Sequence, residues 1–215
     1  LIVPYFAMIP KLLCILASEP SVTRQEAEYF QSALMRRFFI HLPSDGRDRL
    51  SSGRQSELDW EGVIRNEDGI VTEFHCHTWR GGQFNISMLP PTVVYVNVHN
   101  AAQEYKIETR MLPAALRKLH MYDNTLFGTI HLACLPEPSE YILLHINAFV
   151  GPIYLTDLPP NLKTLNLSQN DIRQKLVPYG NLPKKLNVVD LLQNFGPLTV
   201  VSVDESFRSD ATRIC

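Results

Sequence analysis

The dipeptide Leu-Pro recurs from Leu89 onward at an almost constant interval. Five copies begin at Leu89, Leu112, Leu135, Leu158 and Leu182, so the steps are 23, 23, 23 and 24 residues. A fixed period of about 20 to 30 residues is typical of arrays in which each unit buries its apolar edge only against its neighbours. This period constrains the fold more than any other feature, because it requires a row of similar, stacked units.

Each Leu-Pro is followed by the same frame of apolar residues. In the stretch LPPNLKTLNLSQN they are Leu162, Leu165 and Leu167, which fall four, seven and nine positions after the first leucine. The interval of two places the last pair on one face of an extended segment. The equivalent residues of the first two copies are Val93, Val96, Val98, Leu116, Leu119 and Met121. Each copy is therefore predicted to contain a short strand with one inward face.

Asparagine occupies the twelfth position after the leucine in four copies, at Asn124, Asn147, Asn170 and Asn194, whereas the first copy has Ala101. A side-chain amide directly after a strand can hydrogen-bond the backbone of a sharp turn. We therefore expect the four amides to stack as a ladder along the array.

Two further features complete the repeat. A degenerate earlier copy, without its Leu-Pro, fits Val71, Phe74 and Cys76. A late apolar residue also recurs in each unit, as Ile107, Ile130, Ile153, Leu176 and Val200.

The frame L-x-x-L-x-L-x-x-N at this period resembles the leucine-rich repeat. The resemblance implies an α/β fold: a right-handed leucine-rich-repeat solenoid, shaped as a horseshoe or arc, with a parallel concave β-sheet of about six repeats and an N-terminal helical cap. Residues 1–66 are predicted to hold the N-terminal segment and cap, residues 67–205 the repeats, and residues 206–215 a C-terminal tail. The predicted repeats are 67–88, 89–111, 112–134, 135–157, 158–181 and 182–205.

The segment TRQEAEYFQSALMRRFFIHL predicts the helix of the cap. Thr23 and Glu26 have the spacing of a capping box. An apolar stripe that can cover the open end of the solenoid follows, formed by Ala27, Phe30, Leu34 and Phe38. We interpret the next segment, PSDGRDRLSSGRQSE, as a solvated polar loop.

The stretch LDWEGVIRNEDGIVTEFH resembles the W-x-G-V…G-x-V-T-x-L junction that joins a cap to the first strand in leucine-rich-repeat proteins. Plant-type caps carry cysteines where this chain has Leu58 and Arg65, so the capping disulfide is absent. Together with I-x-L-x-x-L-P linkers at Ile130 and Ile153, the chain resembles the trypanosomatid leucine-rich-repeat proteins over residues 23–205. This resemblance implies an architecture and leaves the function open.

The first 17 residues form an apolar segment that Pro4, Pro10 and Lys11 interrupt. It is shorter than the roughly 18 residues of a membrane span, so we expect a chain that is not transmembrane. The segment also resembles the core of a signal peptide. We expect it to be ordered, packed on the first repeat or on a permanent assembly partner, and, because no Met begins the chain, we expect a processed or cut N-terminus.

Net charge and cysteine content limit the expected binding partners and the expected cellular compartment. A net charge of −2 gives no electrostatic basis for binding nucleic acid or an anionic membrane. The four cysteines form no C-x-x-C pair, which favours a reducing compartment. We therefore expect an intracellular, cytoplasmic protein, or an organellar one with a processed N-terminus. Cys76 takes an inward position, where a thiol behaves as a small apolar group.

Strand alternation places the residues that flank each inward pair on the open, concave face, in three columns that begin at Glu73, His75 and His77. Five of the seven histidines fall on this face. The predicted partner-binding residues are His75, His77, Tyr95, Asn97, His99, Lys118, His120, Tyr122, Tyr141, His145, Asn166 and Ser168. We expect the five histidines to be exposed, with pKa values near the ordinary value of about 6.5.

Three interpretations of this face stay open at this point. It is an exposed polar ladder with no specific role, a surface that binds a partner protein through aromatic and imidazole anchors, or a metal site at His75, His77 and His99. No acidic or thiolate ligand stands out beside those three histidines, which weighs against a metal. We predict the second interpretation, with no metal and no cofactor.

Motifs of several enzyme classes are missing from the sequence: G-x-S-x-G, the P-loop, H-E-x-x-H and the deaminase signature. Cys76 lies between two histidines, but its predicted inward direction separates it from them. We therefore predict no catalytic residues and a non-catalytic protein-protein interaction module, a scaffold that binds another protein through its concave face. The alternatives are a structural subunit of a large multi-protein assembly, anchored through the apolar N-terminal segment, and an adaptor domain of an enzyme.

Overall fold

A computed structural model describes residues 23–196, 198–204 and 212–215. These residues form a leucine-rich-repeat solenoid behind a helical cap, which confirms the predicted fold class. The interpretations of residues 1–17 lie outside the described residues. Among the described residues, no helix combines the length and apolar character that a membrane span requires.

In the part of the chain that the structure describes, the main sheet contains seven short strands, one after another along the solenoid. They are β1 (Val63–Arg65), β2 (Val71–His75), β3 (Tyr95–Asn97), β4 (Lys118–His120), β6 (Tyr141–Leu143), β8 (Thr164–Asn166) and β10 (Val188–Asp190). β1 runs antiparallel to β2, and every later pair in this sheet is parallel. A strand of three residues is marginal alone, so each one depends on its neighbours.

The register of the sheet confirms two of the three predicted columns. The column that begins at Glu73 continues through Tyr95, Lys118, Tyr141, Thr164 and Val188. The column that begins at His75 continues through Asn97, His120, Leu143, Asn166 and Asp190. Equivalent residues of successive repeats are therefore direct neighbours, about 4.8 Å apart.

The opposite side of the solenoid is less regular. Two small parallel sheets pair β5 (Phe127–Thr129) with β7 (Ala148–Val150), and β9 (Leu176–Tyr179) with β11 (Thr199–Ser202). Single-turn 3₁₀ helices stand directly before three of the Leu-Pro pairs, at Ile86–Met88, Thr109–Met111 and Leu132–Cys134. A fourth lies in the cap, at Glu57–Asp59.

The core runs along the inside of the sheet. The central residues of the parallel strands β3, β4, β6, β8 and β10 are fully buried: they are Val96, Leu119, Ile142, Leu165 and Val189. Burial of each such side chain contributes about 1.5–3 kcal/mol, but only when the next repeat covers it. The inward position of Cys76 is confirmed, since it joins the same core.

The asparagine ladder is confirmed at the turns that follow the strands. Asn170 shows the pattern: its Nδ2 donates to the carbonyl oxygens of Leu167 at 3.0 Å and of Leu144, one repeat earlier, at 3.1 Å. Its Oδ1 accepts from the backbone N–H of Phe149 at 3.0 Å. Asn124, Asn147 and Asn194 make the equivalent bonds. Each amide therefore joins backbone groups of neighbouring repeats, including at least one N–H group for which it is the side-chain acceptor.

The cap helix, α1 (Arg24–Phe38), begins with the predicted capping box, in which Thr23 and Glu26 bond reciprocally. Of the predicted stripe, Leu34 and Phe38 are buried, whereas Ala27 and Phe30 are only half-buried. The ring of Phe38 packs 4.7 Å from that of Phe74 on the first parallel strand. The helix therefore closes the N-terminal end of the core.

The prediction of a loop after this helix was wrong. Ser44–Ser51 forms a second helix, α2, whose Leu50 is buried in the core. Gly46 lies so close to the carbonyl oxygen of Gly81 that a Cβ atom would stand 2.3 Å from it. The segment looked solvated because one leucine and one close glycine contact, rather than an apolar stripe, hold it against the repeats.

The late apolar residue is not buried in every unit. Ile107, Ile130 and Ile153 are buried, but Leu176 is 59 % exposed and Val177 is fully buried in its place. The fifth unit is one residue longer than the preceding ones, so the inward position moves by one residue.

The C-terminal residues pair with the last strand of the main sheet. Ile214 forms a parallel bridge with Val189, and the backbone N–H of Leu191 donates to the carbonyl oxygen of Cys215 at 2.8 Å. The tail thereby covers the open edge of β10, an edge that would otherwise present unpaired backbone groups.

Candidate functional site

The structure places all twelve predicted partner-binding residues on the concave side, either on the strands or directly after them. Each strand alternates half-buried or exposed residues with one fully buried residue, as the period of two requires. Lys118 and His77 are the most open of the set, and Ser168 is buried. The register then brings the rings of this face together in two groups.

The first group is a continuous ring stack of His77, His99, Tyr122 and His145. The centroid distances between successive rings are 5.4, 4.6 and 4.6 Å, and the angles between their planes are 11°, 15° and 10°. Rings at the same position of parallel strands are held near the strand spacing, which suits stacked packing. Four repeats therefore present one row of aromatic edges to the open side.

The second group lies one column away and packs edge to face. Tyr95 stands between His75 and His120, with centroid distances of 4.6 and 5.0 Å and interplanar angles of 67° and 76°. A hydrogen bond of 3.0 Å joins the Tyr95 hydroxyl to Nδ1 of His120. Burial raises the pKa of Tyr95, so the hydroxyl keeps its proton and can donate it to a neutral imidazole.

Of the five concave histidines, only His77 is exposed as predicted, and the expectation of ordinary pKa values was wrong for His99, His120 and His145. Burial between neighbouring rings, together with the charge of Lys118, lowers the pKa of His120 to about 4. Burial also lowers the pKa values of His99 and His145. Lateral packing across repeats removes water from the imidazoles, so their neutral forms are favoured near pH 7.

The metal interpretation does not gain support from the geometry. Nε2 of His75 lies 2.8 Å from Oε2 of Glu73, within ion-pairing distance, while His77 stacks on His99. In the described ranges 23–196, 198–204 and 212–215, no group of three or more His, Cys, Asp or Glu side chains is arranged to hold a metal ion.

The amide and hydroxyl groups of the face bond to one another. Oδ1 of Asn97 lies 2.7 Å from Nδ1 of His99, and the Ser168 hydroxyl donates to Oδ1 of Asn166 at 2.7 Å. These bonds fix the side chains before any partner arrives, which lowers the entropy cost of ordering them on binding.

A cationic cluster borders the rings at the start of the strands. Arg117 and Lys163 lie around the buried carboxylate of Glu140, and Lys118 lies beside them, near the ring of Tyr141. Nε of Arg117 donates to Oε1 of Glu140 at 2.7 Å, and Nζ of Lys163 donates to Oε2 at 2.6 Å. These donors, Lys163 first and Arg117 second, lower the pKa of Glu140. The carboxylate therefore stays ionised and fully engaged.

Sequence reasoning predicted Lys118 but missed the other members of this cluster. Arg117, Glu140 and Lys163 each stand five positions after the first leucine of their repeat, just before the strand begins. Strand alternation assigns no face to that position. The signal was the alternation of charge from positive to negative to positive at one position of three successive copies.

Cys76 has no place in this site. It is buried on the inner side of the sheet, and burial raises the pKa of its thiol to about 12. A thiol that keeps its proton is a poor nucleophile. The geometry thus separates it from His75 and His77, as the alternation predicted.

Solved leucine-rich-repeat ectodomains share this architecture. The ectodomain of the receptor kinase SOBIR1 from Arabidopsis thaliana matches with a TM-score of 0.58 at 15% identity, covering 81% of this chain and 96% of that chain. The Arabidopsis HAESA ectodomain matches at 0.56 and 14% identity over 87% of this chain. The PEPR1 chain solved as PEPR1-AtPEP1 matches at 0.56 and 16% identity over 76% of this chain.

These likenesses show the fold alone, because the identities are low. The chain spans 24% of the PEPR1 chain and 40% of the HAESA chain. No family model and no curated protein matches the sequence. The resemblance to trypanosomatid leucine-rich-repeat proteins therefore stays a prediction.

Proposed function

We propose that this chain is a non-catalytic protein-interaction module that binds an extended segment of a partner protein along its concave sheet. The observation that carries the proposal is the placement of the ring stack beside the cationic cluster on one face, in register across four repeats. Aromatic and basic side chains that are already fixed in position are typical of the residues that dominate binding energy at interfaces.

The rings are not needed to close the core. Val96, Leu119 and Ile142 already fill the inner side of the same strands completely. Tyr122 and His145 lie on the other side of the sheet and remain half-buried. A partner that covers them would remove apolar ring area from water at little entropy cost, because stacking already restricts each ring.

Two of the structural neighbours support a peptide-like partner. PEPR1 was solved together with AtPEP1, and HAESA was solved in complex with an IDA peptide hormone ligand that is extended at its N-terminus. A short extended segment also suits the dimensions of this face, since its rings form a row rather than a closed pocket.

Panning a displayed library of random 12-residue peptides on the immobilised chain provides the ligands for a test. The Tyr122→Ala/His145→Ala double variant should bind the selected peptides at least about tenfold more weakly, a loss of about 1.4 kcal/mol. The matched control is Tyr154→Ala/His131→Ala, which removes one tyrosine and one histidine, both exposed and outside the concave face.

Fluorescence anisotropy measures each affinity, and urea unfolding verifies that both variants are folded. Equal affinity of the wild type and the concave variant, or a loss that the control shares, would contradict binding through this face.

A further inference from the structure

The charges of the cationic cluster do not balance. Arg117 and Lys163 share the single carboxylate of Glu140, so three cations stand against one anion. Within the described part of the chain, Lys118 forms no ion pair with a carboxylate, although its side chain is exposed on the concave face. The start of the strands in these three repeats therefore carries an excess of positive charge.

Two tyrosine rings hold Lys118 in place. Its Nζ lies 5.3 Å from the centroid of Tyr95, one repeat before it, and 6.0 Å from that of Tyr141, one repeat after it. Tyr141 also faces Nζ of Lys163 at 5.4 Å. Cation–π contacts attract an ammonium group without neutralising its charge. Lys118 is thus oriented by its neighbours and still able to bind an anion.

The nearest carboxylates do not pair with Lys118. Hydrogen bonds from two cations surround the carboxylate of Glu140, and Glu73 lies two strands away from Lys118, with its Oε2 2.8 Å from Nε2 of His75. The field of Lys118 is felt by its neighbour on the same strand, because its charge contributes to the lowered pKa of His120. His120 therefore stays neutral, so it adds no positive charge that would attract an anion away from Lys118.

We infer that this cluster is the subsite for a carboxylate of the bound segment, with Lys118 as the residue that contacts it. The inference rests on the proposed function, since it names the chemistry of the segment that the concave face binds. The carboxylate is either an Asp or Glu side chain or the free C-terminus of a peptide. Arg117 and Lys163 contribute their charge while they remain hydrogen-bonded to Glu140.

A library of random 12-residue peptides displayed with free C-termini supplies the probes. The strongest binder is synthesised with a fluorescein label as a set of separate peptides. One has the selected sequence, others each have one acidic residue changed to its amide, and a last one has an amidated C-terminus. We expect one of these neutralised forms to bind about five- to tenfold more weakly, and which form loses affinity identifies the source of the carboxylate.

Lys118→Gln should weaken binding of the selected peptide by the same factor. It should not change the affinity for the neutralised peptide that already binds weakly, because both substitutions remove the same charge pair. Lys118→Arg keeps the charge and should bind within about threefold of the wild type. The matched control is Lys175→Gln, an exposed lysine outside the concave face, which should bind as the wild type does.

The outcomes separate the two proposals. If Tyr122→Ala/His145→Ala weakens binding while every neutralised peptide and Lys118→Gln bind normally, the carboxylate subsite is wrong and the interaction module stands. If Tyr122→Ala/His145→Ala binds every selected peptide as tightly as the wild type, the proposed function is wrong. A loss with Lys118→Gln that the neutralised peptides do not reproduce would also overturn the subsite.

Discussion

Replacing Asn170 by alanine tests whether the asparagine ladder stabilises the contacts between repeats. Asn170 is 6 % exposed, and its amide contacts backbone groups of two successive repeats. The Leu167 carbonyl keeps a second bond, from Asn194, and the Leu144 carbonyl keeps one from Asn147. The group that loses its side-chain acceptor is therefore the N–H of Phe149.

The size of the stability loss follows from this one unpaired N–H group. A buried N–H left without a partner costs about 1–3 kcal/mol, and carbonyl oxygens that retain one bond add little. We expect Asn170→Ala to lower the free energy of unfolding by about 2 kcal/mol. With a urea dependence of about 2–3 kcal/mol/M, the midpoint should fall by about 0.7–1 M.

The hydrogen bonds at three of the four ladder positions also predict an order of stability losses. Oδ1 of Asn124 accepts from two backbone N–H groups, those of Ala101 and Gln103, both at 3.0 Å. Oδ1 of Asn194 accepts from one, at 3.3 Å. Asn124→Ala should therefore cost most, Asn170→Ala less and Asn194→Ala least.

Urea unfolding followed by circular dichroism measures all three variants against Asn187→Ala, an exposed asparagine outside the ladder. Midpoints of the ladder variants that coincide with that control, or an order reversed between Asn124 and Asn194, would refute the hydrogen-bond accounting.

Three further predictions concern the cap, the histidines and one turn. Phe38→Asp should abolish soluble folded protein because it charges the covered end of the core, whereas Phe30→Asp at a half-buried site should remain soluble; equal solubility on expression would contradict this. His120 has its folded pKa lowered to about 4, below the unfolded value of about 6.5, so its contribution to stability is present above pH 6.5 and lost as pH falls toward 4. After allowance for solvent screening we expect a loss of about 1–2 kcal/mol in urea melts, which His120→Gln should remove; a pH profile that the substitution leaves unchanged would argue against it. Ile146 adopts a left-handed backbone with φ of 54°, so Ile146→Asn should raise the unfolding free energy by about 0.5–1 kcal/mol, and a lower urea midpoint would contradict that strain.

The repeat period explains why so much of the sheet could be predicted. Once Leu165 and Leu167 define an inward face, the fixed spacing assigns equivalent positions in every copy, and the observed register agrees. The asparagine ladder followed from the same frame. Where the spacing changes by one residue, as it does before Val177, the buried position also moves by one residue.

The remaining differences come from contacts between repeats that spacing does not encode. The column that begins at His77 was predicted, but the parallel stacking of its rings, and the loss of water that lowers the pKa of His99, depend on side-chain orientation. Helix α2 escaped detection because Gly46 and Leu50, rather than a periodic stripe, hold it in place. The cluster around Glu140 lay at a position to which alternation assigns no face.

The claim that partners bind along the concave sheet is tested most directly by the imidazole signals of the protein in solution. Five histidines lie on this face, and the other two, His41 and His131, are exposed elsewhere. Titration of the selected 12-residue peptide into the ¹³C- and ¹⁵N-labelled chain should shift the ring resonances of His99 and His145 and leave those of His41 and His131 in place. Shifts confined to His41 and His131 would show that the peptide binds elsewhere and would contradict the concave face as the functional surface.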